Sequence, residues 1–483
     1  MSIWIILKGK RTELTEAETS LRVVPVSDYL AGPRMFRGSR PMIINLASSY
    51  EYQSRGYYAS LLAGARGHRV IPSAETIIDL SRRRLYENAL PELENSLNSH
   101  LSEETPAPHK LRIFFGSADE AHLERFARLV FDWFRAPALE LELVPGNWTS
   151  IKRIRLLSFH RLDQAERERF LAALEAHTKR VWRDSKQASP AKYSIAALCD
   201  PAEVLPPSSI ASLKHWARIA ARMAVDVSPI SKRDLAKLAN YDALFIRETT
   251  SISNHTYRFA RRAQQEGMPV IDDPVSMIRC TNKVYLQELL EGAHVPMPKS
   301  LVISRTSQIQ HAADTIGFPM VVKIPDGSFS RGVKKVDDTA ELKSLTDKWF
   351  KETDLLIVQE FMPTEFDWRV GILDGEPLFV TQYLMAKKHW QIINHEARGR
   401  NFEGGFRSFR LGDASEELLV IATKAAAKIG SGLYGVDVKQ TEAGFFVIEI
   451  NDNPNLDHGV EDAGEKDVVW QRLTQWFIDR IDA

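Results

Sequence analysis

The sequence predicts a multidomain α/β protein, and three observations carry that reading: a length of 483 residues, strand-sized apolar runs alternating with amphipathic stretches, and a strand–turn–strand signature near the C-terminus. A chain this long exceeds one ordinary hydrophobic core, so it divides. Hydrophobic residues make up 44% and charged residues 26%, as in ordinary globular proteins. Lys+Arg and Asp+Glu both number 63, so the formal net charge is zero and nothing pulls the whole molecule toward nucleic acid or an anionic membrane. The two cysteines, Cys199 and Cys280, have no metal-site spacing and cannot build a disulfide framework, which agrees with a reducing compartment. The run from Ile3 to Leu7 is the size of a strand, and no run is long enough to cross a bilayer. A cytoplasmic location is expected, with no nucleic-acid or membrane partner.

Residues 1–190 read as an N-terminal α/β domain, with strands at 4–7, 42–46, 111–115 and 154–159 and helices at 57–65, 77–97, 120–134 and 165–180. Leu123, Phe126, Val130 and Phe134 recur at helical spacing and give one of these helices an apolar face. The polar-aromatic stretch from Ser48 to Tyr58 lies between a strand and a helix, where open α/β sheets bind ligands. Tyrosines plugging an interface are the competing explanation.

A linker is expected at 184–190. Residues 191–271 then alternate regularly: strand 194–198, a Pro206-Pro207 break, Ser208 as N-cap of a helix to Met223, strand 225–227, helix 232–238, strand 243–246, helix 254–265 and strand 269–271. That order argues for a small parallel sheet. Arg247 and Glu248 close one of its strands and either face a substrate or form a local ion pair.

Residues 272–483 carry the candidate chemistry. Lys283 follows Asn282 at a helix start, where the helix dipole disfavours a cation unless an anion is shared with it. The strand at 318–323 ends in Lys323 and runs into Asp326-Gly327-Ser328-Phe329-Ser330-Arg331-Gly332, small residues whose N–H groups suit phosphate oxygens. This is not a P-loop, because Val333 and Lys334 stand where Lys and Ser/Thr are required. The apolar strand 355–361 offers a slot for a flat base, with backbone groups at Glu360 and Phe361 to read its edge. Asp367 and Arg369 follow, then an Arg/Gly loop containing Arg398, Arg400 and Asn401.

Last comes the hairpin, 434–439 and 445–454. With its turn centred on Ala443, Asp437 faces Glu449 and Asn451 shares their side, while Val436, Val438, Ile448 and Ile450 form an apolar reverse. Two carboxylates and an amide suit Mg²⁺. A half-buried hairpin with a solvated face explains the pair alone equally well.

Together these motifs resemble the ATP-grasp superfamily, specifically ligases like the ribosomal-protein S6 glutamate ligase. The matching residues are Asn282-Lys283, Lys323 with Gly327 to Val333, Gln359-Glu360-Phe361, Asp367-Trp368-Arg369, Gly435-Val436-Asp437 and Glu449-Ile450-Asn451. The resemblance implies an ATP-grasp fold at 272–483, a small Rossmann-like pre-ATP-grasp sheet at 191–271 and an additional α/β domain fused ahead of them. It implies ATP held by Lys283, Lys323, Gly327, Ser328, Ser330, Gly332, Glu360, Phe361, Asp367 and Asn401. Asp437, Glu449 and Asn451 would hold Mg²⁺ or Mn²⁺. Ser330 stands where the family often has Gly, and the Arg-rich loop and the Trp390 segment are longer than the pattern, so Arg398 and Arg400 match only loosely.

The function implied is an ADP-forming carboxylate–amine ligase working through an acyl phosphate on amino-acid or peptide substrates, with Arg369 and Arg400 as candidates to stabilise the carboxylate or oxyanion. A homo-oligomer is compatible with it. The rivals are a phosphotransferase on the same fold and a non-catalytic nucleotide sensor whose N-terminal domain binds a partner.

Overall fold

A computed structural model describes residues 4–32, 36, 41–102, 106–178, 191–326, 332–386, 389–392 and 404–483. The chain divides into two compact units, residues 1–188 and 189–482. The expected linker at 184–190 lies outside the described residues.

In the first unit, β1 (Trp4–Lys8), β2 (Arg22–Pro25), β3 (Met42–Leu46) and β4 (Arg69–Ile71) form a parallel sheet in the order β2-β1-β3-β4. β5 (Lys110–Phe114), β6 (Ala138–Val144) and β7 (Ser150–Leu156) make an antiparallel meander. β6 was not expected, because Leu and Glu are good helix formers; its signal is the strict alternation of Leu139, Glu140, Leu141, Glu142 and Leu143. The leucines enter the core, and the buried Glu140 accepts from Arg112 Nε at 3.1 Å and pairs with Arg155 on the flanking strands. The helix expected at 77–97 is two, Ala74–Ser81 and Leu90–Asn98. Pro91 lies in the first turn of the second, where its missing N–H costs nothing. In the Ser48–Tyr58 stretch, the Tyr50 hydroxyl donates to the Asn45 carbonyl at 2.7 Å and Tyr57 is buried, whereas Tyr52 is exposed.

In the second unit, β8 (Tyr193–Leu198), β9 (Val225–Ile230), β10 (Ala243–Ile246) and β11 (Val270–Ile271) form the parallel sheet, ordered β11-β10-β8-β9. β12 (Ser300–Ile303), β13 (Met320–Lys323), β14 (Val333–Val336) and β15 (Leu356–Glu360) form an antiparallel sheet, ordered β12-β15-β13-β14. β16 (Phe366–Leu373), β17 (Glu376–Leu384), β18 (Phe406–Phe409), β19 (Leu433–Thr441) and β20 (Gly444–Asn451) form a second antiparallel sheet, ordered β18-β17-β16-β19-β20. The C-terminal helix Asp467–Asp482 packs its Trp470, Leu473 and Phe477 with Trp216 and Phe245, so the last helix and the parallel sheet share one core. No helix among the described residues is long and apolar enough to cross a membrane.

One N-cap moves by a residue. Ser209, not Ser208, caps the helix Ile210–Arg222, its side chain accepting from the Ser212 N–H. Ser208 is buried and committed elsewhere: its hydroxyl donates to the Leu456 carbonyl at 2.6 Å and accepts from Arg247 Nε at 3.0 Å.

Candidate functional site

The hairpin β19–β20 is the floor of the site. Its tip pairs Thr441 with Gly444, one residue tighter than a turn centred on Ala443, and a β-bulge beyond Asp437 restores the difference. Asp437 therefore does pair with Glu449, and Gly435 with Asn451. The bulge consumes Ile448, which leaves the apolar reverse and joins the cavity lining; Val447 replaces it in the core with Val436, Val438 and Ile450. The turn centre at Ala443 and Ile448 on the reverse face are thus the parts of the hairpin expectation that fail.

Each acid on this face meets a cation. Arg369, opposite Asp437 on β16, donates from Nε to Oδ1 at 2.7 Å and from Nη2 to Oδ2 at 2.8 Å, and Asn451 Nδ2 donates to Oδ2 at 3.1 Å. Lys283, the first residue of the helix Lys283–Gly292, places Nζ 3.1 Å from Glu449 Oε1. Burial pushes the Glu449 carboxyl up, but Lys283 and Lys323 together outweigh it and hold it below the usual carboxylate value. Asp437 goes the other way: burial raises it, and Arg369 offsets only part of the rise.

Lys323 ends β13, buried, with Nζ donating to Gln359 Oε1 at 2.7 Å. Burial pushes its ammonium down to about 8. The segment that follows is closed at its base, where the Ile324 N–H donates to the Gly332 carbonyl at 2.9 Å. Gly332 has φ +74°, a left-handed backbone that favours Gly, and a Cβ there would stand 3.1 Å from Ile324 Cβ, a tight contact. Gly327, Ser328 and Ser330 lie outside the described residues, as do Arg398, Arg400 and Asn401.

At the end of β15 the Glu360 N–H donates to the Lys299 carbonyl at 2.8 Å. It is therefore not a free donor for a base edge, and such a donor has to come from Phe361 or beyond. The Phe361 ring meets Trp390 edge-on with centroids 5.7 Å apart. Asp367, two residues before Arg369, accepts from Lys439 Nζ at 2.6 Å.

The opposite wall comes from loops beyond the parallel sheet. Arg247 does not pair with Glu248: fully buried, it donates to Ser208, to Asn453 Oδ1 at 2.6 Å and to the carbonyls of Pro207 and Pro454. Burial lowers its guanidinium to about 10. Glu248 pairs with His255 instead. Tyr383 bonds Glu461, and the Arg369 guanidinium sits 5.0 Å from the Tyr383 ring. Lys439, Tyr383 and Glu461 escaped the sequence reading, and Gln359 entered it only within a matching motif, with no role of its own. Only for Lys439 was a signal present, since it follows Asp437 by two residues on the same face of a strand.

These groups enclose a cavity of about 1050 Å³ lined by residues from both antiparallel sheets and the loops after β8, β10 and β20. It brings together Lys283, Lys323, Glu360, Phe361, Asp367, Arg369, Asp437, Glu449 and Asn451. The donor set fits a hard divalent cation and a polyphosphate: two carboxylates and an amide for the first, lysines at the same wall for the second. Elsewhere, His215 and His458 stack with centroids 3.7 Å apart near Asp462, but Arg218 Nη2 donates to His215 Nδ1 at 2.9 Å. That fixes the proton on His215 Nε2, facing Asp467, and leaves no lone pair for a metal.

Comparison with known proteins agrees with this geometry. The RimK-like ATP-grasp domain model matches residues 280–469, which contain every described residue of the constellation above, and the RimK-like ATP-grasp N-terminal domain model matches 26–173. The chain belongs to the RimK-like ATP-grasp family. Similar proteins include the alpha-aminoadipate–LysW ligase LysX of Saccharolobus solfataricus, 28% identical over 45% of this chain and 77% of the relative. A probable alpha-L-glutamate ligase of Saccharophagus degradans is 27% identical over 50% of this chain and 78% of its own. Among solved structures, a RimK-domain ATP-grasp protein from Sphaerobacter thermophilus aligns with TM-score 0.44 and 16% identity over 59% of this chain and 98% of that one. The RimK-like chain is accordingly an enzyme of the ATP-grasp carboxylate–amine ligases, which form C–N bonds and use ATP and Mg²⁺.

Proposed function

We propose that the protein joins a carboxylate to the amine of an amino acid or peptide, consuming ATP and releasing ADP. A substrate carboxylate oxygen attacks the terminal phosphorus and ADP leaves. The amine then attacks the acyl carbon, phosphate departs, and the amine proton is lost to solvent. Mg²⁺, or Mn²⁺ in its place, supplies neutralisation of the phosphate charge when bound. Asp437, Glu449 and Asn451 would hold it. Lys283 and Lys323 would bind phosphate oxygens, with Gly327, Ser328, Ser330 and Gly332 closing over them and Asn401 beside them. The backbone from Phe361 would take the adenine that the Glu360 N–H cannot, with the Glu360 side chain alongside. Arg369 would orient the carboxylate, and Arg400 would steady the oxyanion. The relatives' names speak of aminoadipate and glutamate, so an acidic amino acid is the substrate to try first. The division into 1–190, 191–271 and 272–483 remains part of this reading.

The observation that supports it best is the pairing of Asp437 with Glu449 in the cavity that Lys283 and Lys323 also line. The test is mass spectrometry of products after incubation with ATP, Mg²⁺, pooled amino acids and peptide acceptors. A new amide and ADP are expected, both absent for Glu449→Ala with an unchanged circular dichroism spectrum. Product formation by that variant would refute the metal assignment, and ADP release with an alcohol acceptor alone would refute the ligase.

A further inference from the structure

Arg369 is held from two sides, and that hold decides which of its donors a ligand can reach. On β16 it stands opposite Asp437 of β19 and Thr381 of β17. Strand side chains repeat every second residue, so Tyr383, two beyond Thr381, shares the face that carries Arg369 and Asp437. A guanidinium has two edges that can grip a carboxylate with a pair of N–H groups, Nε with Nη2 and Nη1 with Nη2. Asp437 occupies the first, at 2.7 Å and 2.8 Å. Nη1 donates to none of the described residues. The second edge is therefore the one left, and with the side chain only 16% exposed it is reached through the cavity that Arg369 lines.

Asp437 fixes one edge of the guanidinium, and the Tyr383 ring fixes its tilt. Arg369 Cζ lies over that ring, 5.0 Å from its centroid. The ring is itself anchored: Tyr383 is buried, and its hydroxyl donates to Oε1 of the buried Glu461. Glu461 Oε2 accepts from the Asp457 N–H at 2.7 Å, and Asp457 Oδ1 accepts from the Ser209 N–H at 2.8 Å. A continuous run of contacts thus ties the guanidinium plane to the loop after β20 and to the start of the helix Ile210–Arg222. We propose that Tyr383, anchored by Glu461, is a positioning residue that aims the Nη1–Nη2 edge of Arg369 at the substrate carboxylate. A carboxylate gripped by both donors of that edge is fixed in one plane, whereas a tilted guanidinium offers one donor and leaves it free to turn. This rests on the carboxylate-orienting role of Arg369 in the proposed function, and it names the edge used and the residues that aim it.

The test uses the full chain with ATP, Mg²⁺, a pool of amino acids and short peptides as carboxylates, and hydroxylamine in place of the amine. The hydroxylamine nitrogen attacks the acyl carbon, phosphate departs and a nitrogen proton goes to solvent. The hydroxamate is followed over time by mass spectrometry, so slow variants stay measurable, and the acid converted fastest is then used alone. Tyr383→Leu should raise KM for that acid roughly 10-fold, the order of a shielded cation–π contact, with KM for ATP within twofold of the parent. Tyr383→Met is measured beside it, so that a leucine variant that fails to fold does not decide the matter. Tyr383→Phe keeps the ring and should bring the acid's KM back to within threefold. In an Arg369→Lys chain, whose ammonium has no plane to aim, Tyr383→Leu should add less than twofold. An unchanged KM for the acid without the ring, an equal rise in KM for ATP, or a further tenfold loss in the Arg369→Lys chain would overturn the inference while leaving the ligase reading intact. A parent chain that forms no hydroxamate from the pool would overturn both.

Discussion

Lys323 is the buried cation whose charge state the site depends on. Its ammonium, lowered by burial to about 8, is charged below that pH in the folded protein and neutral above it, whereas in the unfolded chain it stays charged to about 10.5. Below pH 8 the buried charge costs stability. Between about 8 and 10.5 the unfolded state binds the extra proton, so stability rises with pH. The unfolding free energy of the parent minus that of Lys323→Met should therefore climb over that interval in denaturant titrations, and a flat difference would contradict it. Nucleotide binding runs the opposite way. ADP affinity should fall as pH passes about 8 in the parent, and the fall should vanish in Lys323→Arg, whose charge persists. Residue types were legible here from the sequence: Lys323, Asp437 and Glu449 stand out by pattern. Their partners were not, because Gln359, Arg369 and Lys283 reach them from segments far along the chain, and only folding sets those distances.

At the scale of elements, the loop after β20 is tied down from a distance. Arg247 leaves the end of β10 and bonds Asn453 and the Pro454 carbonyl, while the Ser209 N–H and the Ser212 hydroxyl engage Asp457. This bracket holds the cavity wall that carries Asp452, Asp457 and Glu461. Arg247→Met fills the space but strands several buried acceptors, so it should cost about 3–5 kcal/mol in chemical unfolding, well above a surface substitution. A loss under 1 kcal/mol would show that the bracket is dispensable. The β-bulge makes a related point. Alternation along 445–451 gives Glu449 and Asn451 one face, but whether Ile448 joins them depends on where the ladder slips. That is fixed by packing of Val447 and Ile450 against Val436 and Val438, not by local propensity. Pro91 is the converse case, a break readable from the residue itself.

Over the whole molecule, two units with separate cores predict two thermal transitions. A ligand that binds only the folded form of one unit raises that unit's transition alone. Differential scanning calorimetry with Mg²⁺ and ADP should shift the transition of residues 189–482 and leave that of 1–188 in place. A common shift of both, or a single cooperative transition, would sink this expectation.

By itself the sequence determined the α/β class, the alternating segment that becomes a parallel sheet, and the motif order by which the C-terminal half resembles its family. All of these are carried by period, propensity and spacing along the chain. The tertiary structure alone decided that the last helix completes the core of the parallel sheet, that Arg247 is a buried bracket rather than a substrate contact, and that Lys439 pairs with Asp367 on the cavity wall. Such facts depend on which distant surfaces exclude water together, and burial is a property of the packed chain that no local window of residues contains.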